Sequence, residues 1–201
     1  MEINVLDVFC GTKSVKQVCD TLGWRYTGLD IEKKFNPDIC IDFLKWDYKK
    51  YPKNHWDAIW FSPDCACYSI AARNVHFNAD HTPKTDKARI ALQILDKVKE
   101  VIEYFDCIYY IENPRARMRW FLTYPRYEVW YCRYGFNRAK PTDIWTNVKG
   151  FIPKKCHNGN PDHISAPRGS QRGTTGVKKT ERYKVPPRLI RDLFESAMLS
   201  K

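Results

Sequence analysis

Residues 4–11 read NVLDVFCG, a short apolar run that predicts a buried β-strand ending at a glycine. Residues 14–22 follow with their apolar side chains on one face, which is the spacing of an amphipathic helix. Strands separated by helices predict an α/β fold with a mostly parallel sheet and helices on both faces. The same alternation continues, with strands predicted at residues 25–31, 38–41, 56–62 and 107–111 and a long helix at 85–105.

The last third of the chain lacks this alternation. Residues 127–134 and 142–145 are predicted to form a terminal antiparallel pair. Residues 150–184 are rich in Gly, Pro, Lys and Arg and poor in apolar residues, which predicts an irregular basic segment. We therefore divide the chain into a core (1–149), this basic segment (150–184) and a C-terminal helix that packs back on the core (185–201).

Composition favours a polyanionic partner. The 201 residues carry 34 lysines and arginines against 23 acidic residues, a formal charge of +11. The surplus is largest after residue 147, where twelve basic residues accompany four acidic ones, and nucleic acid is favoured over a merely solvated basic surface. No apolar run approaches the ~18 residues of a membrane span. The eight cysteines include no CxxC pair, so we expect reduced thiols and a protein of the cytoplasm or of the cell compartment that contains its nucleic-acid partner. We also expect a monomer.

Acidic residues follow the predicted strands at the edge where parallel sheets bind ligands. Gly11 lets the backbone approach a ligand, and Asp30, about twenty residues later, can accept both hydroxyls of a ribose. Asp42 follows the third strand and can accept an adenine amino group. These acids predict an adenosyl ligand, although each alone can be a plain helix cap. A dinucleotide is disfavoured because the sequence is not GxGxxG.

The fourth and fifth predicted strands run into Ser62-Pro63-Asp64-Cys65 and Glu112-Asn113-Pro114, and the second of these groups is expected to end its strand. Adjacent strands bring the cysteine and the glutamate to one rim. Such a pair suits cytosine chemistry, because a thiolate that adds at C6 makes C5 nucleophilic toward a sulfonium methyl group. A glutamate in a partly desolvated pocket can stabilise the electrons that reach N3.

Six segments in this order resemble the motifs of the DNA cytosine-C5 methyltransferase family, most closely the short forms of phages and large viruses. They are DVFCGT (7–12), GLDI (28–31), FSPDCACYS (61–69), IENP (111–114), YGFNRAKPTDIW (134–145) and YKVPPRLIRDLF (183–194). The resemblance implies a Rossmann-like S-adenosylmethionine-dependent methyltransferase fold with a terminal antiparallel strand. It also implies methyl transfer to C5 of cytosine in DNA through a covalent cysteine adduct at C6.

The resemblance assigns roles to individual residues. Cys65 is implied as the nucleophile and Glu112 as the contact to the cytosine N3 and amino edge. Lys140 lies where an arginine that holds the cytosine O2 is expected, and Arg115 or Arg117 can substitute for it. The implied cofactor pocket consists of Asp7, Phe9, Gly11, Asp30, Ile31, Asp42, Ser62 and Pro63.

The sequence departs from the family pattern at three places. Residues 12–14 are Thr-Lys-Ser where further glycines are usual, and Lys140 replaces an arginine. Asp64 places a negative charge beside Cys65, which opposes thiolate formation unless a cation offsets it.

Only residues 150–184 are available to recognise a target, so we expect short or degenerate specificity. The target base must leave the stack to reach Cys65. Arg73, Asn74 and His76 either fill the space that it leaves or form a plain surface loop. Contacts to nucleic acid are predicted for Arg117, Arg138, Arg168, Arg172, Lys178 and Lys179.

Several alternatives stay open. The substrate can be RNA, the chain can be a non-catalytic nucleic-acid-binding relative, or it can transfer another one-carbon group. An amino methyltransferase fits poorly, because that chemistry needs no cysteine. Cys67 is a second candidate nucleophile, less favoured by its position in the motif. No metal is predicted, since Cys156, His157 and His163 offer three ligands where a structural zinc site needs four.

Overall fold

One mixed sheet of seven strands forms the centre of the computed structural model, which describes residues 2–72, 74–157, 159–170 and 174–199. The strands are β1 (Asn4–Val8), β2 (Arg25–Asp30), β3 (Ile39–Cys40), β4 (Ala58–Phe61), β5 (Ile108–Pro114), β6 (Arg126–Trp130) and β7 (Pro141–Thr146). The α-helices in the described residues are α1 (Ser14–Leu22), α2 (Asp86–Phe105), α3 (Lys179–Arg182) and α4 (Pro187–Leu199).

The strand order creates a place for a ligand. The strands lie in the order β3-β2-β1-β4-β5-β7-β6. The first five are parallel, whereas β7 lies antiparallel between β5 and β6. β2 and β3 lie on one side of β1, whereas β4 and β5 lie on its other side, so the chain changes side between β3 and β4. Open α/β sheets bind ligands at such a point, beyond the carboxyl ends of the strands.

Alternate residues of the strands face two helical layers. Leu6 and Val8 of β1 belong to the apolar cluster that contains the buried face of α2. Val5 belongs to the cluster that contains the buried faces of α1 and α4. All three side chains are fully buried, as expected for a sheet covered on both faces. The predicted fold class, a mostly parallel sheet between helices with a terminal antiparallel strand, is confirmed.

The ends of α1, α2 and α4 lie within two residues of those predicted, because capping residues and prolines mark them in the sequence. α1 occupies the predicted residues and ends at Gly23, whose φ of 69° favours glycine. α2 begins after Thr85, whose hydroxyl oxygen accepts a hydrogen bond from the Ala88 amide. α4 begins at Pro187, since proline is well suited to the first turn of a helix. No helix in the described part of the chain combines the length and the apolar character needed to cross a membrane.

Two predictions at the antiparallel edge were wrong. The fifth strand was predicted to end at residue 111, before Glu112-Asn113-Pro114. In the structure it includes these three residues, because β7 pairs with them and places Ile144 opposite Glu112. Likewise, β6 ends at Trp130 rather than at residue 134, since Tyr131–Tyr134 forms a 3-10 turn. The ladder with β7 therefore extends β5 beyond the end of β4 and holds Glu112 in a fixed backbone position.

The basic segment lies against this antiparallel edge. The Trp130 amide donates to the Lys154 carbonyl oxygen at 3.2 Å, and the Ala139 amide donates to the Ile164 carbonyl oxygen at 2.9 Å. Phe151 near its start is buried in the cluster of α1 and α4. Among its described residues only α3 is helical.

Candidate active site

The loop after β1 brings backbone to the edge of the sheet. Phe9 and Gly11 have positive φ angles of 64° and 44°. The amides of Phe9 and Cys10 both donate to the Leu29 carbonyl oxygen, at 2.8 and 3.1 Å. The chain therefore turns sharply here, and Gly11 presents backbone without a Cβ. Both predicted pocket residues of this loop lie at the turn.

Asp30 joins that loop to β2. Its Oδ2 accepts a hydrogen bond from the Gly11 amide and its Oδ1 from the Glu32 amide, both at 2.9 Å. Each carboxylate oxygen keeps a second lone pair, so Asp30 can still accept two ribose hydroxyls. The neighbouring Ile31 side chain is 62% exposed and offers an apolar surface on which an adenine ring can pack.

Asp7 lies deeper than the other predicted pocket residues. It is 2% exposed, and its Oδ2 accepts a hydrogen bond from the Tyr26 hydroxyl at 3.0 Å. Burial raises the pKa of Asp7 to about 8, against the lowering effect of the bond from Tyr26. The contact requires glycine at position 28, because a Cβ there would lie 2.6 Å from the Tyr26 hydroxyl oxygen. The structure thus gives Asp7 a protein partner, and a direct cofactor contact stays a prediction.

The remaining predicted pocket residues follow β3 and β4. Asp42 caps a 3-10 turn, its Oδ1 accepting a hydrogen bond from the Leu44 amide at 2.9 Å. Ser62 Oγ accepts a hydrogen bond from Trp60 Nε1 at 2.9 Å, and Pro63 is buried. Asp42 therefore has the cap role that the sequence left open, and its adenine contact stays a prediction. A glycine turn, a carboxylate with free lone pairs and an exposed apolar side chain together fit an adenosyl group.

Asp30→Asn is expected to weaken binding of S-adenosylmethionine about 10- to 100-fold, since hydrogen bonds to a charged group contribute roughly 1.5–3 kcal/mol. Calorimetric titration of the purified protein with the cofactor would measure the dissociation constant. Glu32→Gln is the matched control, because this exposed acid pairs with Lys34 rather than facing the loop. An unchanged dissociation constant for Asp30→Asn would contradict the ribose role.

Hydrogen bonds from β5 and the turn after it fix the loop that carries Cys65. The Asn113 side-chain amide donates to the Pro63 carbonyl oxygen at 2.9 Å. The Arg117 backbone amide donates to the Tyr68 carbonyl oxygen at 3.1 Å. Asn113 is 1% exposed, so water does not compete for its bond. The cysteine loop and the Glu-Asn-Pro strand are thus joined directly, as adjacent strands predict.

Cys65 is half-buried, and burial is the main reason that the pKa of its thiol lies above the usual value. The charge of Glu112 raises this pKa further, Lys140 lowers it, and Asp64 has a smaller raising effect. Asp64 itself is exposed: its Oδ1 accepts a hydrogen bond from the Ala66 amide, and its Oδ2 lies 3.5 Å from Lys87 Nζ. Lys87 therefore partly offsets the negative charge of Asp64, whereas Lys140 lowers the pKa of the Cys65 thiol.

Glu112 is 7% exposed and is held by two side chains. Its Oε1 accepts a hydrogen bond from the Tyr131 hydroxyl at 2.6 Å and lies 3.8 Å from Lys140 Nζ. Lys140 Nζ also lies 4.5 Å from the centroid of the Tyr131 ring and donates to the Arg182 carbonyl oxygen at 3.2 Å. Glu112 and Lys140 both act electrostatically on Cys65, so the three side chains share one site.

The sequence is 32% identical to the “Probable DNA (cytosine-5)-methyltransferase” of frog virus 3 (isolate Goorha), over 96% of this chain and 99% of that protein. The chain belongs to the DNA cytosine-C5 methyltransferase family. The resemblance found in the sequence motifs is thereby confirmed. No family model matches the sequence.

One solved structure supports the fold of this chain, and a second is similar over part of it. The Entamoeba histolytica methyltransferase EhMeth gives a TM-score of 0.53 at 12% identity, over 77% of this chain and 55% of that enzyme. The S. pombe Dnmt2 methyltransferase gives 0.48 at 12% identity, over 76% of this chain and 52% of that enzyme. The chain thus spans about half the length of both enzymes.

Two residues of the C5 methyltransferase site were missed in the sequence. Asn113 was interpreted only as the end of a strand. Its position between Glu112 and Pro114, in a motif shared with the family, could have indicated a role in the site. Tyr131 was interpreted as a residue of β6, and its contact with Glu112 arises only when β6 and β7 fold beside β5. No local pattern reveals that contact.

Burial distinguishes the two candidate nucleophiles. Cys67 is 2% exposed and packs in the apolar cluster of α2. Cys65 is half-buried and shares its site with Glu112 and Lys140. The structure therefore favours Cys65.

The two arginines after Glu112 have different partners. Arg115 lies 3.2 Å from Glu128, and its guanidinium is 5.4 Å from the centroid of the Trp130 ring. Arg117 is 8% exposed and donates to Asn74 Oδ1 at 3.1 Å, while its Nη1 finds no hydrogen-bond partner among the described residues. Arg117 therefore braces the loop that follows Cys65. The cytosine O2 contact by either arginine stays a prediction, and so does the contact of Arg117 to nucleic acid.

The loop that carries Asn74 and His76, expected to fill the space of a rotated base, has hydrogen-bond partners within the protein. Asn74 accepts the bond from Arg117, and His76 Nδ1 lies 2.9 Å from Thr85 Oγ1 at the start of α2. Arg73 lies outside the described residues. Both described partners anchor the loop, and its insertion into DNA stays a prediction.

The basic residues predicted to contact nucleic acid divide into anchored and exposed ones. Arg138 donates to the Thr175 carbonyl oxygen at 3.4 Å and so links the basic segment to the core. Arg168 and Lys178 are exposed. Lys179 begins α3, and Arg172 lies outside the described residues. Their contacts to nucleic acid stay predictions.

Proposed function

We propose that this C5 methyltransferase transfers a methyl group from S-adenosylmethionine to C5 of cytosine in DNA, with Cys65 bonding covalently to C6. The observation that carries the proposal is that the Asn113–Pro63 hydrogen bond joins the loop of Cys65 to the end of β5, where Glu112 lies 3.8 Å from Lys140 Nζ. The bound cofactor supplies an electrophilic methyl group on a sulfonium.

The first step adds the cysteine to the ring. The Cys65 thiolate forms the Sγ–C6 bond, and the π electrons of C5–C6 shift through C4 toward N3. Glu112 in its protonated form transfers a proton to N3, which stabilises that electron pair in a site with little water. The Tyr131 hydroxyl holds Glu112 Oε1 at 2.6 Å, so the carboxyl group is oriented before the substrate arrives.

Release completes the cycle. Once C5 has received the methyl group, N3 returns its proton to Glu112. The proton on C5 then leaves to water, and the electrons of that C–H bond re-form the C5–C6 double bond. The Sγ–C6 bond breaks, and its electron pair returns to Cys65 as thiolate. Lys140 lowers the pKa of that thiol and therefore favours both its attack and its departure as an anion.

DNA is the favoured substrate for two reasons. The frog virus 3 relative is named for DNA, and the basic segment supports binding to a polyanion. The Cys65 thiolate must approach C6 from above or below the ring plane, and in a stacked duplex the neighbouring bases occupy both positions. The cytosine must rotate out of the helix, which costs a few kcal/mol in a duplex.

Labelled substrates test the proposal. The protein is incubated with tritiated S-adenosylmethionine and either duplex DNA or RNA of the same sequence, and nucleosides are analysed by mass spectrometry. A parallel reaction uses DNA that contains 5-fluorocytosine, where C5 cannot lose a proton and the adduct persists. We expect 5-methyl-2′-deoxycytidine and a denaturation-stable complex on DNA. Product found only in RNA would show that RNA rather than DNA is the substrate. Cofactor binding without any adduct would overturn the C5 mechanism.

Lys140→Met is expected to move the pH dependence of methyl transfer toward higher pH. Lys140 lowers the pKa of the Cys65 thiol, so removal of the cation raises that pKa. Since only the thiolate attacks, the rate at neutral pH falls several-fold and recovers as the pH rises. Turnover measured across neutral and alkaline pH would show the shift, and Lys140→Arg, which keeps the cation, should restore it. An equal loss at every pH would contradict this role of Lys140.

A further inference from the structure

Three metal-ligand side chains from distant parts of the chain meet beside the antiparallel edge. Cys132 lies in the 3-10 turn after β6, and Cys156 and His163 lie in the basic segment. One ligand atom from each lies within 4.8 Å of the others, and Cys156 Sγ is 3.2 Å from His163 Nδ1. The cysteines are only 3% and 6% exposed.

This arrangement supplies three of the four ligands of a tetrahedral zinc ion, and water can supply the fourth. A tetrahedral Zn²⁺ with Zn–S bonds of about 2.3 Å and Zn–N bonds of about 2.0 Å holds its ligand atoms roughly 3.5–3.8 Å apart. The three ligand atoms lie within 4.8 Å of one another, so shifts of about an ångström bring them to such spacings. His163 Nε2 lies 2.9 Å from Ser165 Oγ. A proton on Nε2, donated to Ser165, leaves the Nδ1 lone pair facing Cys156, as in metal sites whose histidine is oriented by a second hydrogen bond.

We propose that Cys132, Cys156 and His163 bind one Zn²⁺ ion, with water in the fourth position on the half-exposed side of His163. The site goes beyond methyl transfer and does not depend on it. Sequence spacing did not reveal it, because Cys132 lies 24 residues before Cys156 in another element. The structure adds Cys132 to the ligands that the sequence offered and leaves His157 outside the group.

The ion would fasten the basic segment to the core. The two backbone hydrogen bonds that join them, from Trp130 to Lys154 and from Ala139 to Ile164, lie on either side of the three ligands in sequence. Cys132 directly follows Tyr131, whose hydroxyl holds Glu112. A metal bound at Cys132 therefore stabilises both the start of the basic segment and one wall of the active site.

A disulfide between the two cysteines is the competing reading of the same cluster. It would leave His163 without a role, although the Nδ1 of that side chain faces Cys156 Sγ. A metal uses all three side chains. The two readings also differ in chemistry, because zinc keeps both thiolates reduced and a disulfide needs an oxidant.

Metal content tests the proposal directly. The full chain is produced with zinc in the medium, purified without chelators and analysed by plasma mass spectrometry. We expect about one zinc per chain in the wild type, and loss of most of it in Cys132→Ser and Cys156→Ser. Cys40→Ser is the control, because Cys40 is exposed and lies in β3, outside the cluster. The control should keep its zinc.

Two further measurements keep the proposal falsifiable if a serine variant fails to fold. Replacement of zinc by Co²⁺ in the wild type should give thiolate-to-cobalt absorption bands and the intense visible bands of a tetrahedral ion. His163→Cys should keep the metal and shift those bands. Chelation should lower the melting temperature of the wild type, and added zinc should restore it. Wild-type protein that neither contains nor takes up zinc or cobalt, or a Cys132–Cys156 disulfide found in protein whose thiols were alkylated at lysis, would overturn the site.

Discussion

Cys65→Ser is expected to lower methyl transfer to cytosine by at least about 1,000-fold, a rise of about 4 kcal/mol in activation free energy. A serine hydroxyl ionises far less readily than a thiol, and here burial and Glu112 already oppose formation of the anion. The variant should also form no denaturation-stable complex with 5-fluorocytosine DNA. Turnover with tritiated cofactor and a denaturing gel of the trapped complex are the two measurements.

Cys67→Ser is the matched control for this substitution. Cys67 lies two positions along the same loop but is 2% exposed and packs in the apolar cluster of α2. Its replacement should reduce stability modestly and leave trapping intact. Persistence of the adduct in Cys65→Ser, together with its loss in a folded Cys67→Ser protein, would assign the nucleophile to Cys67.

Glu112→Gln should lower kcat about 100- to 10,000-fold, the range typical for loss of a positioned acid. An amide cannot transfer a proton to N3, so the electron pair displaced by Cys65 is poorly stabilised. Trapping on 5-fluorocytosine DNA should therefore slow but not disappear, in contrast to Cys65→Ser. Single-turnover rates separate the two variants, and calorimetry should show that Glu112→Gln still binds the cofactor normally.

Tyr131→Phe is a milder test of the same carboxyl group. It removes only the hydroxyl that donates to Glu112 Oε1, so the carboxyl group remains but loses one fixed partner. The expected loss in kcat is about 10-fold, with little change in KM. A kcat for Glu112→Gln within a few-fold of wild type would refute the role of this carboxyl group in the reaction.

The sequence predicted the parts of the fold whose signals are local. α1 was predicted with its observed ends, because its apolar face and Gly23 are both readable in the sequence. The position of the acids and of Gly11 at one edge of the sheet followed from strand ends, and the closeness of the Cys65 loop to Glu112-Asn113 followed from the adjacency of two strands. These inferences need only periodicity, turn chemistry and the parallel order of the sheet.

The remaining features depend on contacts between distant segments. Insertion of β7 between β5 and β6 is not encoded in any one stretch, yet it keeps Glu112-Asn113-Pro114 in a strand. The offset of Asp64 by Lys87 requires α2 to pack beside the cysteine loop. The metal-ligand cluster joins a turn to a segment that follows β7. Sequence patterns describe neighbours along the chain, whereas these interactions join neighbours in space.

The hydrogen bond from Lys140 Nζ to the Arg182 carbonyl oxygen has a consequence for building chimaeras. We assign Lys140 to the site of Cys65 and Glu112, and position 182 lies in the basic segment that we predict to recognise the target. A transplanted segment must therefore supply a main-chain acceptor at the same place, or the ammonium group will drift from Glu112. On this prediction a change of target segment also affects turnover, so both properties should be measured in every chimaera.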